Sequence, residues 1–242
     1  MVFTTKEVLK LDLAIDTSTR HSALAIVEGE NSLAGFSWIS ERNHTVDLVP
    51  LIQEMLNWGS AKELTLRTIV VALGPGGWSS LRVGISAAKG LAEALHIPLV
   101  GVGTLELEAF PYASTKNPIC PLIEVGRGEV AWGLFQELEG RWTQTQPDTI
   151  SKLDDVCQTI PPDTVLCGEG AWNLKNQLQD LVKAGARIFA VPPPTRQAFT
   201  LARLGKRYLT MGATQDTASL EPIYLRRPST TPPLGADVAG NA

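Results

Sequence analysis

The sequence predicts an α/β protein in which a three-stranded unit is duplicated and helices are added to each copy. Three observations point to it. Residues 11–16 (LDLAID) read as a strand ending on an acid, TSTRHS turns the chain, 23–28 returns, and Glu28-Gly29-Glu30-Asn31 turns again into 33–40. Residues 119–125 (ICPLIEV) begin the same order again: the turn Gly126-Arg127-Gly128, a returning strand over 130–135, and Glu139-Gly140 leading into 142–145. Between the copies, the apolar run 68–73 (TIVVAL) is broken by Gly-Pro-Gly-Gly, and a helix leaves at once toward Leu95.

The remaining elements follow in order. A helix over 45–58 places Leu48, Leu51, Ile52 and Met55 on its apolar side, with Pro50 close enough to the start to be tolerated. Ser60 and Glu63 have the spacing of a capping box, and 98–102 (PLVGV) begins a further strand. In the second copy, 154–159 reads as a short helix and 164–167 as a strand. Gly168-Glu169-Gly170 then turns into a helix with Leu174, Leu178 and Leu181 on one face. A short strand over 188–191, the rigid break PPPT and an amphipathic helix over 198–209 complete the fold. Residues 228–242 have too few apolar groups to pack and are expected to be a disordered tail.

The stretch from Gly74 to Ala94 organises the rest. Ser79 or Ser80 can cap its helix, and Leu81, Ile85, Ala88, Ala92 and Leu95 form one continuous apolar face. A second stripe, Val83, Ala87, Gly90 and Ala94, is small or apolar at the same spacing. One face should therefore pack on the strands, and the other on a second helix or a second protein. Gly84 and Gly90 each cost about 1 kcal/mol relative to Ala inside a helix, which close backbone approach would offset. The glycine turn lacks P-loop and GxGxxG spacing, so a tight turn is preferred to a phosphate cradle.

With 242 residues, 44% hydrophobic and 19% charged, the chain reads as globular, and a net charge of -4 argues against a broad nucleic-acid surface. No apolar run is long enough for a membrane span, and the first residues lack the apolar core of a signal peptide, so a cytoplasmic location is expected. Cys120, Cys157 and Cys167 form no CxxC pair and read as buried small hydrophobes. His21, His44 and His96 are too scattered to suggest a ligand set.

Candidate chemistry lies at the first hairpin. Asp16, Thr17, Ser18 and Thr19 put one carboxylate and several hydroxyls where a phosphate and its magnesium shell could be held, although hydroxyls suit any tight turn. The corresponding acid in the second copy, Glu124, is followed by Val125-Gly126-Arg127 and not by a second phosphate loop, which counts against an intact ATP site. Lys89 and Arg82 on the long helix read as solvated or snorkelling. No HExxH and no Ser/His/Asp arrangement supports a peptidase.

Several motifs together carry a family resemblance: LAIDTST at 13–19, RNHT with Leu48 and Pro50, ALGPGGWSSLRVGISAAKGLAEAL at 72–95, PLVGVGTLE at 98–106, RGEV at 127–130 and EPIYLR at 221–226. In order and over nearly the whole chain, they resemble TsaB, the family of dimerisation subunits in the bacterial machinery that installs threonylcarbamoyladenosine in tRNA. The resemblance implies an actin-like (sugar kinase/Hsp70-like) duplicated RNase H-like fold of two lobes, here 1–103 and 104–227, each with a central mixed sheet and flanking helices. Two departures stand out. Glu124-Val125-Gly126 precedes Arg127 where relatives have Asp-Ala-Arg, and Gly77-Trp78 stands for the usual Ser-Phe.

The family is a paralogue of the catalytic subunit TsaD, where a histidine pair at HxxxH spacing holds the metal. Thr104 and Glu108 stand at those positions here, so the resemblance implies a non-catalytic member with no metal and no cofactor of its own. It further implies a scaffold that binds TsaD, works with the ATPase TsaE, and supports transfer of a threonylcarbamoyl group to the adenosine following the anticodon. Such a scaffold touches tRNA at most indirectly and can form homodimers when alone. Asp16–Thr19 would then be a relic phosphate loop, and the stripe Val83, Ala87, Gly90, Ala94 the partner-binding helix face. The alternative is an active ATP-dependent phosphotransferase of the same superfamily.

Overall fold

The computed structural model describes residues 9–40, 44–57, 64–182 and 185–226. Expectations for Ser60, Glu63, Trp58 and the 228–242 tail lie outside them. Two five-stranded sheets form the frame. In the first, β1 (Leu9–Asp16), β2 (His21–Glu28) and β3 (Asn31–Ile39) make an antiparallel meander, and β4 (Leu64–Ala72) and β5 (Leu99–Val102) run parallel to β1, in the order β3-β2-β1-β4-β5. The second sheet repeats this with β6 (Ile119–Gly126), β7 (Glu129–Leu138), β8 (Arg141–Lys152), β9 (Val165–Cys167) and β10 (Arg187–Ile188), in the order β10-β9-β6-β7-β8. Reading from the meander edge, the two orders are identical, which is the duplicated RNase H-like plan of the actin-like fold.

Period-2 alternation divides β1 between the two faces of its sheet, with Leu11, Leu13 and Ile15 on one and Asp12, Ala14 and Asp16 on the other. Leu11, Leu13 and Ile15 join Ile69, Val71, Leu81, Ile85 and Ala88 under α1 (His44–Asn57) and α2 (Trp78–Leu95). Ala14 joins Ala23, Ala25, Val70 and Val100 under Leu201, Ala202 and Leu204 of α7 (Ala198–Thr210). Gly205 lets α7 lie against β4, since a Cβ there would meet the Val70 side chain at 2.3 Å. In the second sheet, Leu105 and Ala109 of α3 (Thr104–Ala109) cover one face. Residues of α4 (Leu153–Thr159), α5 (Glu169–Asn173) and α6 (Lys175–Leu181), such as Val156, Ala171 and Leu178, cover the other. All three cysteines are buried free thiols.

Several expectations change. The helix expected through Leu174–Leu181 is two short helices, α5 and α6, meeting at Leu174, whose backbone is non-helical (φ -101, ψ 13). Helix α3 escaped notice, being six residues long with no side-chain cap at Gly103. Strand β8 is far longer than 142–145, because it is an exposed edge strand carrying Thr, Gln and Asp where buried strands carry apolar residues. Neither Ser79 nor Ser80 caps α2: Gly77 is the N-cap, and Ser80 Oγ donates back to the Gly77 carbonyl at 3.0 Å.

The chain leaves the first sheet through α3 and returns to it through α7. The segment beyond α7 also packs on the first sheet: Leu220 and Ile223 join its core, and Ile223 N donates to Leu73 O at 2.8 Å. No helix among the described residues is long and apolar enough to cross a membrane.

Candidate functional site

The buried end of β1 places Asp16 in the cleft between the sheets, fully buried with Thr17 and Ser18. One carboxylate oxygen, Oδ1, accepts from Ser18 N at 2.8 Å and Ser18 Oγ at 2.5 Å. Thr17 Oγ1 donates to the Ser80 carbonyl at 2.7 Å, and Gly77 N donates to the Ser18 carbonyl at 2.8 Å. The Gly-Pro-Gly-Gly turn is thus folded directly onto this loop. A Cβ on Gly76 would stand 2.1 Å from Ser18 O, and one on Gly84 would stand 2.3 Å from Thr17 Oγ1. The close approach expected of Gly84 is therefore to Asp16–Thr19. Gly90 differs: it is exposed, and a Cβ there meets nothing within 4 Å.

What fills the cleft is Arg196, two residues before α7 and 3% exposed. Its Nε donates to Asp16 Oδ2 at 2.7 Å, and one terminal nitrogen reaches Glu108 Oε1 at 2.8 Å and Glu169 Oε1 at 3.0 Å. The other donates to Thr19 Oγ1 at 2.7 Å and to the His21 carbonyl at 3.2 Å. Burial opposes the charge on Arg196, but Asp16, Glu108 and Glu169 more than offset it and hold its pKa above the usual value. Burial raises Glu108, against Arg196 and the Thr195 hydroxyl, which donates to it at 2.7 Å. Burial lowers the His21 pKa, against the pull of Glu169 and together with Arg20 and Arg196.

The structure brings Asp16, Thr17, Ser18 and Thr19 together with Glu108, Glu169 and Arg196. Glu124 is elsewhere: it is exposed and accepts from Asn173 Nδ2 at 2.6 Å. Of the pair standing at the histidine positions, Glu108 binds Arg196, while Thr104 ties down the glycine turn. Thr104 Oγ1 accepts from Gly74 N at 3.0 Å, and its own N–H donates to Gly74 O at 2.7 Å. Sequence reasoning missed Arg196 and Glu169. Arg196 sits 180 residues from Asp16 in the chain, beside a proline break, and carries no local signal.

The stripe residues lie outside the cleft, on the side of α2 away from its buried face of Leu81, Gly84, Ile85, Ala88 and Ala92. Val83 and Ala87 are half-buried and pack against the first core, while Gly90 and Ala94 are exposed. Nearby apolar exposure is high: Leu95 is 48% exposed, and on α1 Val46 and Val49 are 70% and 50% exposed. Arg82 is not simply solvated, its guanidinium lying 3.9 Å above the Trp78 ring, which stacks on Tyr224 at 4.4 Å. Lys89 donates to the carbonyls of Ala218 and Leu220 at 3.2 and 2.9 Å. Arg226 pairs with Glu129 at 2.5 Å.

A family model described as TsaD, tRNA N6-adenosine threonylcarbamoyltransferase, matches residues 38–220. The tRNA threonylcarbamoyladenosine biosynthesis protein TsaB of Bacillus subtilis (strain 168) is 30% identical over 217 residues, 88% of this chain and 93% of that protein. A tRNA N6-adenosine threonylcarbamoyltransferase of Anaeromyxobacter dehalogenans (strain 2CP-C) is 36% identical, but only over 110 residues, 39% of this chain and 33% of that enzyme. The solved structure of YeaZ from Pseudomonas aeruginosa has the same fold, with a TM-score of 0.73 at 22% identity over 89% of this chain and all of that one.

Proposed function

This chain belongs to the TsaB family of tRNA threonylcarbamoyladenosine biosynthesis proteins, and from that premise we propose that it is the non-catalytic scaffold of the modifying complex. It binds a TsaD-type catalytic subunit, which transfers the threonylcarbamoyl group to the adenosine following the anticodon, and works with a TsaE-type ATPase in the cytoplasm. One observation carries the non-catalytic part. The carboxylates that would serve a phosphate or metal, Asp16 and Glu108, are already ion-paired to the chain's own Arg196 inside the cleft. Asp16–Thr19 is then a relic loop. Its hydroxyls and carboxylate now fasten the glycine turn and α2 instead of a nucleotide.

The partner-binding face is the outer side of α2, Val83, Ala87, Gly90 and Ala94, with α1 beside it. Small residues allow two backbones to approach, and the exposed Val46, Val49 and Leu95 give the apolar area that a standard interface of about 1,600 Å2 needs. The same face supports a homodimer when the catalytic subunit is absent. We place the division between lobes at residues 103 and 104, with α7 and the segment to Ile223 returning to the first lobe.

The test is a reconstituted modification reaction containing the TsaD-type transferase, the TsaE-type ATPase and the adenylate-forming enzyme, with and without this chain, read by nucleoside mass spectrometry of the tRNA. Modification that depends on the chain is expected. Equal modification in its absence overturns the proposal. Asp16→Ala is not a clean control for a relic loop, because it leaves Arg196 buried with fewer partners.

A further inference from the structure

We infer that Arg196 is an internal strut: it holds the two lobes at one fixed angle from within the cleft, the task that a bound ligand performs in hinged two-lobed proteins. The inference follows from which elements its partners belong to. Asp16, Thr19 and His21 stand on the β1–β2 hairpin of the first sheet. Glu108 stands on α3 and Glu169 at the start of α5, and both helices pack on β6 of the second sheet. The arginine itself is anchored to the first lobe, since α7 follows it directly and packs on β1, β2, β4 and β5. A single side chain, 1% exposed, therefore spans both lobes through five contacts.

Two further contacts reinforce the span. Thr19 Oγ1 donates to Glu169 Oε1 across the cleft at 2.9 Å, and Thr195 Oγ1 binds Glu108 from the segment that carries Arg196. Opening the lobes would pull the guanidinium from one set of carboxylates and break ion pairs that hold together only in the closed cleft. The hairpin held by the strut is the one onto which Gly76, Gly77 and Ser80 are packed. Fixing that hairpin therefore fixes the start of α2 as well. The planar fork matters here as much as the charge: lysine offers three donors on one nitrogen and cannot reach Asp16, Glu108 and Thr19 together.

Hydrogen exchange read by mass spectrometry on the full chain tests this, with peptides covering residues 16–21 and 167–171, together with small-angle scattering. In Arg196→Lys, exchange in both segments is expected to rise about tenfold or more at the same time, with protection in β1 and β4 retained and a larger radius of gyration. A second variant, Arg196→Met with Glu108→Gln, removes one charge of each sign and should show the same joint loosening. Parent-like exchange and scattering in either folded variant overturn the strut. Loosening confined to 16–21 also overturns it, because Arg196 would then anchor only its own lobe, and so does failure of both variants to fold. None of these readouts involves a partner or tRNA, so the strut can fail while the scaffold role stands, and the reverse.

Discussion

Gly90→Arg is the sharpest perturbation of the proposed partner face, because the structure makes its two effects opposite in sign. Gly90 is exposed inside α2, and an added Cβ meets nothing within 4 Å. Replacing glycine by a good helix former in a helix interior gains about 0.7 kcal/mol of intrinsic propensity, so the isolated chain should melt about 2 °C higher or unchanged. A partner helix seated on the small-residue stripe would instead have to bury a long cation. That costs at least about 2 kcal/mol, or about thirtyfold in affinity. Ala87→Arg should weaken pairing too, with a small loss of monomer stability because Ala87 is half-buried against the core. Sedimentation velocity of each variant mixed with the TsaD-type subunit, alongside thermal melts of the variant alone, separates the two effects. Parent-like association by both folded variants refutes the stripe as the contact.

Three other outcomes follow from the same structure. Gly84→Ala and Gly90→Ala should shift the melting temperature in opposite directions. The first loses about 1–3 kcal/mol because its Cβ would stand 2.3 Å from Thr17 Oγ1, while the second gains about 1 kcal/mol. Burial holds Asp148 up at about 6, with Gln144 opposing and Glu106 adding to the rise. A raised carboxylate binds its proton more tightly in the folded chain, so it contributes stability as pH falls from above 6 toward the ordinary carboxylate range, and that contribution is lost as pH rises through 6. Asp148→Asn should therefore melt higher than the parent at pH 7.5, and the difference should shrink by pH 5. Magnesium-ATP at millimolar concentration should leave the melting temperature of the isolated chain unchanged; a saturable rise of several degrees would reopen the phosphotransferase reading.

Legibility in the sequence tracked how local each interaction is. The duplicated meander could be read because β1, β2, β6 and β7 carry runs buried on both faces, bounded by glycine turns. Asp16 could be read as special because an acid at the end of such a run needs a partner. Its partner could not be read: Arg196 is 180 residues away, and an arginine after three prolines looks like any other. Gly84 and Gly90 looked alike on the helix, yet one is packed on Thr17 and the other faces open space, a difference set by tertiary contact alone. The same holds for Glu124 and Glu108. Strand periodicity singled out the first, and the cleft uses the second because α3 turns it inward.

The use of Glu108 and not Glu124 bears on how the proposed scaffold would fix its two lobes. A cleft between two lobes favours hinge motion unless something bridges it. The proposed scaffold would need such a bridge. Glu108, standing where the resemblance places a metal-binding histidine, supplies a negative charge that Arg196 can bridge to Asp16, and both carboxylates and the cation are nearly inaccessible to solvent. Buried ion pairs are weak evidence for stability, since their desolvation cost rivals their attraction. Their use here is geometric: three carboxylates on two lobes and one planar fork admit few relative positions of the sheets. The α2 surface that begins at the same loop is then presented in one orientation.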